Sequence, residues 1–185
     1  MTALLLNSIL ALLLTNFIHH FLIIRYDIFS FLKIPIDLRK SFRGQRIFGD
    51  SKTLRGFLVD IIPTGLFLFL LMTFFVKEFQ VSKLFFGFLL GFGYAFGELP
   101  TSFLKRQFKI DPGKQGQGSL GIFFSILEQA DSIIGVLIVV TIFLKLNLFQ
   151  NLTLFLIGVG LHLSIDLFLH IYGYKRGLQI PFLKH

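Results

Sequence analysis

The sequence from Leu84 to Asp111, LFFGFLLGFGYAFGELPTSFLKRQFKID, changes from an apolar run to a charged segment within a few residues. Its apolar part has the length of a membrane-spanning helix, which needs about 20 residues. Glu98 lies inside this part, and Lys105 and Arg106 follow at its end. On a helix, Glu98, Ser102 and Lys105 share one face. An ionisable residue at membrane depth usually has a function, so this face is a candidate site.

The composition is that of an integral membrane protein. Of 185 residues, 54% are hydrophobic and 15% are charged, whereas a soluble domain carries about 25% charged residues. The chain has no Cys, which excludes disulfides and thiolate metal sites. The net charge of +8 is attributed to cytoplasmic loops and phosphate ligands, and no nucleic-acid partner is expected. We predict an all-α bundle that forms a single membrane domain over residues 1–185.

Five apolar segments are each close to the length of a membrane span. They cover about 3–24, 57–76, 84–104, 122–144 and 152–172. The first has no basic region before it and no small-residue cleavage site, which favours a retained helix over a signal peptide. The alternating pattern of membrane β-strands is absent.

The distribution of Lys and Arg predicts the orientation of these helices. Fifteen of the 18 basic residues fall in the loops 25–56 and 105–121 and in the C-terminal tail. The other three, Lys77, Lys83 and Lys145, lie on the opposite side of a five-helix arrangement. Because basic loops stay in the cytoplasm, we expect a multi-pass cell-membrane protein with its N-terminus outside and its long loops inside.

The end of the first loop, GDSKTLRG from Gly49 to Gly56, has the composition of a phosphate-binding element. Glycine permits close backbone approach, and Lys52 and Arg55 can bind phosphate oxygens. The helix that follows could add its N-terminal amides. The GxxxxGK spacing of a Walker A loop is absent. The alternative is a basic loop that binds anionic lipid headgroups.

A second group of acidic residues lies in ILEQADSIIG, from Ile126 to Gly135. Glu128 and Asp131 are three residues apart, so they share one helical face. With Glu98 they offer carboxylates of the kind that bind Mg²⁺ together with substrate phosphates. Without a cation, close carboxylates would repel one another. The alternative is structural pairing of these acids with neighbouring bases, such as Lys105.

Other polar residues of the helices receive weaker interpretations. His162, Asp166 and His170 recur every four residues on the last helix. The two His are too far apart to share one ion, so we favour a structural or supporting role. Asp60 is expected near the same site, and the His pair at 19–20 is treated as interfacial. The glycines of GFGYAFG, 91–97, are interpreted as positions of close helix packing.

The motif order GDSKTLRG, GELPTSFLKRQ and ILEQADSIIG, followed by a His-bearing last helix, resembles the CDP-archaeol synthase family. This family is related to phosphatidate cytidylyltransferase. Its members transfer CMP from CTP to a membrane lipid phosphate and release pyrophosphate. The resemblance covers about residues 33–175. Three positions depart from the family pattern: Glu98 and Glu128 stand where the family usually has Asp, and Asp166 stands where it often has Asn.

The resemblance implies CTP and a lipid phosphate as substrates, Mg²⁺ as cofactor and a role for each motif residue. The residues implied to be catalytic, by binding the phosphates, are Lys52, Arg55, Lys105 and Arg106. Substrate binding falls to Gly49, Asp50, Thr53, Gly56, Ser102 and Lys175. Metal binding falls to Glu98, Glu128 and Asp131. A homodimer is a further expectation.

Two other functions would also place acids inside a membrane. A transporter or channel would need polar residues through the whole membrane depth, whereas here they gather on the cytoplasmic side. A non-catalytic lipid-binding protein would use the same basic loops without turnover.

Overall fold

The structure is a computed structural model that describes residues 2–19, 21, 23, 26–77, 80–114 and 116–171, without the side chains of 169 and 170. The described residues form five α-helices. These are α1 (Thr2–Ile18), α2 (Leu54–Phe75), α3 (Val81–Gln107), α4 (Gly118–Leu144) and α5 (Leu148–Ile171). The α1–α2 connection holds a 3₁₀ turn at Ser30–Leu32 and a hairpin of β1 (Ser41–Phe42) and β2 (Gln45–Arg46).

The predicted helical membrane bundle is confirmed, with one difference in the first segment. Helices α2 to α5 each contain a stretch long and apolar enough to cross a membrane. The regular α-helical part of this segment, α1, has 17 residues, which corresponds to about 25 Å. His19, Phe21 and Ile23 beyond it have π-helical geometry. That all residues form a single domain stays a prediction.

Helix α3 packs against α2 through two glycines one turn apart. A Cβ atom added at Gly91 would lie 2.3 Å from the carbonyl oxygen of Asp60, and one at Gly87 would lie 2.7 Å from the Cα of Gly65. Both distances are too short for any side chain, so glycine is required for the backbones to approach this closely. These contacts fix Asp60 beside α3.

A second glycine pair joins α3 to α4. A Cβ atom at Gly97 would lie 2.5 Å from the carbonyl oxygen of Asp131, and one at Gly135 would lie 2.0 Å from that of Gly93. The packing role predicted for the GFGYAFG run therefore agrees with the structure. Since Gly97 directly precedes Glu98, the same contact brings the Glu98 and Asp131 segments together.

The α1–α2 loop is organised around Asp37, which the sequence did not single out. One carboxylate oxygen accepts hydrogen bonds from the backbone N–H of Arg39 at 2.9 Å and from Arg46 Nη2 at 2.7 Å. The other accepts from the backbone N–H groups of Phe48 and Gly49, both at 3.0 Å. Burial raises the pKa of Asp37, but the Arg46 and backbone donors outweigh it and lower the pKa to about 2.

Substitution of Gly135 by Ala is expected to destabilise the bundle by about 1–3 kcal/mol, because overpacking forces the α3 and α4 backbones apart. The measurement is thermal unfolding of the purified protein in detergent. Gly160→Ala on α5 is the matched control, since a Cβ atom there would meet nothing within 4 Å. Equal melting temperatures for the two variants would contradict this account of the packing.

Asp37→Asn is expected to loosen the loop, because the amide keeps one acceptor oxygen and loses the charge that pairs with Arg46. If the free energy of local unfolding of the loop falls by about 2 kcal/mol, trypsin should cleave within residues 39–46 roughly 30-fold faster. Asp111→Asn is the control, because that carboxylate is exposed and pairs only with Lys114 in the described chain. Similar cleavage rates would show that Asp37 does not hold the loop.

The pH dependence of the loop has a defined sign. The pKa of Asp37 is lower in the folded loop than the ordinary value near 4, so its stabilisation is present above about pH 4. It is lost as the pH falls toward about 2. Pepsin cleavage of the wild-type loop should therefore accelerate between these values, with a smaller change for Asp37→Asn.

Candidate functional site

One polar cavity of about 690 Å³ lies where the α1–α2 loop meets the bundle. All five helices or the segments that flank them contribute to its wall. It contains residues from all three sequence motifs, although these motifs are far apart in the chain. The predicted site residues that line it are Asp50, Lys52, Thr53, Arg55, Gly56, Glu98, Ser102, Lys105, Arg106, Glu128 and Asp131.

The two other predicted site residues have different positions. Gly49 is not among the residues that line the cavity. It has a φ of +86°, and a Cβ atom there would lie 2.8 Å from Cγ of Pro112. It therefore joins the α1–α2 loop to the α3–α4 loop, and glycine is needed for both the conformation and the contact. Lys175 lies outside the described residues.

Lys52 and Glu98 form an ion pair across the cavity, which links the first motif to the second. Their side chains are 21% and 27% exposed, so both can also be reached from the cavity. Burial lowers the pKa of Lys52, but the Glu98 carboxylate outweighs it and raises the pKa above the ordinary value. Lys52 is therefore an ammonium group at neutral pH, which suits an anionic ligand.

Lys105 and Arg106 are both buried near the end of α3. Lys105 Nζ donates to Glu128 Oε1 at 2.5 Å, so the second motif is also linked to the third. Arg106 donates through Nη1 to the carbonyl oxygen of Ile110, where α3 ends. Its Nε has no protein partner among the described residues. Arg106 thus retains a buried donor at the cavity wall.

The start of α2 combines a helix cap with a buried arginine. The Thr53 hydroxyl accepts a hydrogen bond from the backbone N–H of Gly56 at 3.3 Å, which makes Thr53 the N-cap of α2. Arg55 Nη1 donates to Asp27 Oδ1 at 2.6 Å and to the carbonyl oxygen of Ile28. Arg55 is therefore oriented by the preceding loop, and Thr53 has a structural role as well as a position in the cavity.

The carboxylates fit a metal ion in donor type but do not form a complete cage. Among the residues that the structure describes, no three His, Asp or Glu side chains form a group that could hold a metal ion. Glu128 Oε2 is nevertheless buried and without a protein partner in the described chain. Glu98 and Asp131 line the same cavity. This pattern suits a cation that completes its shell with substrate oxygens, as Mg²⁺ commonly does.

Helix α5 joins the site through hydrogen bonds to α4. Gln129 Nε2 donates to the buried Asp166 Oδ2 at 3.3 Å. His162 Nδ1 lies 3.4 Å from the Gln129 carbonyl oxygen. Both α5 residues line the cavity, which agrees with the supporting role predicted for them. The side chain of His170 lies outside the described part of the chain.

Sequence reasoning missed two polar contacts in the cavity wall. His19 Nδ1 lies 2.7 Å from Asp60 Oδ1, so the residue treated as interfacial belongs to the site. Asn16 Nδ2 donates to Tyr94 Oη at 2.9 Å. An available signal was that α1 and α2 each place a polar residue inside an apolar run. Asp60 was expected near the site, but its partner depends on the tertiary fold.

The arrangement has a clear chemical capacity. Basic side chains from the α1–α2 loop, the start of α2 and the end of α3 converge with carboxylates from α3 and α4 at one end of a membrane bundle. Such a cavity can bind a polyphosphate and a cation while one side of it meets the membrane. Chemistry on a phosphate fits this site.

Comparison with known proteins agrees with this chemistry. A family model described as CarS-like, CDP-archaeol synthase, matches residues 1–179. A CDP-archaeol synthase of Methanospirillum hungatei is 30% identical over 79% of this chain and 87% of its own length. That of Methanoculleus marisnigri is 33% identical over 65% of this chain and 70% of its own. That of Pyrococcus furiosus is 39% identical over 45% and 52%, respectively.

No solved structure matches the chain. The match to the family model covers nearly the whole sequence and includes all three motifs that line the cavity. It confirms the resemblance drawn from those motifs, and it favours an enzyme over a transporter or a non-catalytic lipid-binding protein. The chain therefore belongs to the CDP-archaeol synthase family.

Proposed function

We propose that this chain activates a lipid phosphate with archaeol-type chains, using CTP in the polar cavity. Family membership makes the protein a CTP-dependent cytidylyltransferase that forms a CDP-lipid. The lipid is inferred from the relatives, which are named for CDP-archaeol. The observation that carries the assignment of the site is the convergence of three distant motifs on one cavity.

In the proposed reaction, a lipid phosphate oxygen attacks the α-phosphorus of CTP. The bond to the β-phosphate bridging oxygen breaks, and pyrophosphate leaves with that electron pair. The nucleophile is already an anion, so no strong general base is required. The protein must instead hold two anions together and stabilise the charge that develops between them.

The basic residues of the cavity supply this stabilisation. Lys52 comes from the α1–α2 loop and Lys105 from α3, and each is held by a carboxylate partner, Glu98 or Glu128. Arg106 offers a buried Nε donor. Arg55 is oriented by Asp27 at the start of α2. Donors fixed in advance cost little reorganisation when charge develops on a phosphate.

Mg²⁺ is the cofactor we propose, held by Glu98, Glu128 and Asp131. When bound, such an ion neutralises phosphate charge and orients the triphosphate. Glu128 offers its unpartnered Oε2, while Glu98 and Asp131 lie on neighbouring turns joined by the Gly97 contact. Lys52 forms an ion pair with Glu98. This pair therefore links the cation, which Glu98 would bind, to the phosphate, which Lys52 would bind.

The central experiment supplies membranes that contain the expressed protein with CTP, Mg²⁺ and either archaetidic acid or phosphatidic acid. Pyrophosphate release and a CDP-lipid product are expected, with faster turnover of archaetidic acid. Release with neither lipid, while a control enzyme works, would refute the function. Faster turnover of phosphatidic acid would refute only the choice of lipid.

Lys52→Met is the variant that tests the site within this assay. Loss of one preorganised donor to the transferred phosphate should lower kcat by roughly 100-fold. Lys40→Met is the matched control, because Lys40 is exposed in the same loop and does not line the cavity. Unchanged turnover by a folded Lys52→Met protein would remove Lys52 from the site.

We further propose that the protein spans the cell membrane with its N-terminus outside and the cavity in the cytoplasm, on the basis of the basic loops. The absence of Cys allows a labelling test. Lys40→Cys should be protected from an impermeant maleimide in intact cells, and Ser82→Cys, which is exposed in the first turn of α3, should react. The reverse pattern would invert the topology. A homodimer stays a prediction that the mass of the detergent-solubilised protein can test.

A further inference from the structure

An apolar groove runs along the side of the bundle between α1 and α5, and we call it the α1–α5 groove. Its walls are α1 and α5, and α4 forms its floor. The lining is almost entirely aliphatic, with Leu12, Leu137 and Leu161 as representative residues. Ser8, one of the few polar residues in it, already donates to the carbonyl oxygen of Leu4 at 2.7 Å. The groove therefore suits an apolar ligand.

The groove exists because α1 and α5 pack against different neighbours. Helix α1 contacts α2 and α3, and α5 contacts α4. Within the described residues, α1 and α5 do not pack against each other. The described side chains of α5 are exposed or partly buried, and Asp166 is a buried exception near the cavity. A lateral opening toward the surrounding lipid is thus part of the architecture.

The groove is continuous with the polar cavity at one end. Asn16, Tyr94 and His162 line both spaces. From this junction the groove follows α1 from Asn16 back to Leu5, a distance of about 16 Å along the helix axis. That is close to half of the hydrocarbon thickness of a bilayer. A molecule with one polar end and one hydrocarbon end would fill both spaces.

We propose that the α1–α5 groove holds a hydrocarbon chain of the lipid phosphate substrate, with the headgroup in the polar cavity. This inference rests on the proposed function, because it assumes that the cavity receives the lipid phosphate. The chain enters sideways from the membrane, so the lipid reaches the cavity without leaving the bilayer. Asn16, Tyr94 and His162 then surround the region where headgroup and chain meet.

The physical role of the groove is alignment more than affinity. A lipid tail in a bilayer is already in an apolar medium, so its transfer into the groove gains little hydrophobic free energy. The groove instead restricts where the phosphate at the other end of the tail can lie. Correct placement of a nucleophile is worth orders of magnitude in rate. A larger side chain that fills the groove should therefore slow the turnover of long-chain substrates, because their phosphates would be misplaced.

The test compares two neighbouring residues of α4. Leu137 lines the groove, whereas Ile138 is 56% exposed on the outer face and does not line it. Leu137→Trp should lower kcat/KM for a long-chain lipid phosphate by about tenfold or more, a change of at least about 1.4 kcal/mol. Turnover of a four-carbon-chain analogue, too short to fill the groove, should stay within about twofold. Ile138→Trp should leave both rates unchanged.

A second measurement uses the wild-type protein and does not depend on turnover. A lipid phosphate with a photoreactive group near the end of its chain should cross-link to groove residues of α1, α4 or α5. Labelling at Ile138 and other outer-face residues instead, or cross-links between two copies of the chain through the groove, would overturn the inference. So would full long-chain turnover by Leu137→Trp. Absence of any transfer by the wild type would refute the proposed function, while the cross-linking pattern would still decide the groove.

Discussion

Close backbone contact between α3 and its two neighbours is the constraint on which the rest of the structure depends. Gly87 and Gly91 face α2, and Gly97, together with Gly135 of α4, forms the other contact. Apolar side chains give little driving force for association inside a membrane, so small residues and polar contacts decide which helices meet. The same contacts place Asp60, Glu98 and Asp131 around one space, and the site is thus a direct result of the packing.

Much of this site could be predicted from the sequence because its residues break a simple pattern. Glu98, Glu128 and Asp131 interrupt apolar helices, and Lys52 and Arg55 stand in a Gly-rich loop. Each such interruption is costly in a membrane unless it has a partner or a function. The structure shows partners for two of the acids, Lys52 and Lys105. Structural ion pairing and a functional role were considered as alternatives for these acids, and the structure shows that the two are compatible.

Other parts of the structure could not be predicted because they depend on partners far away in the chain. The His19–Asp60 contact joins residues 41 positions apart, so a polar residue inside an apolar run signals a partner without identifying it. Hydropathy placed a first helix up to about residue 24, but it gave no sign that regular α-helical geometry ends at Ile18 and that His19, Phe21 and Ile23 are π-helical. The hairpin after Asp37 has strands of two residues each, which is too short to produce a recognisable alternation.

The hydrogen bonds of Asp37 have a consequence for the order in which the protein assembles during synthesis. All of its partners lie within the next 12 residues, from Arg39 to Gly49. Contacts this local close quickly, because little chain entropy is lost in forming them. The loop can therefore reach its final shape while α3 is still inside the ribosome. The loop that carries Lys52 would then be folded first, and Glu98 would pair with it once α3 has been synthesised and packs against the bundle.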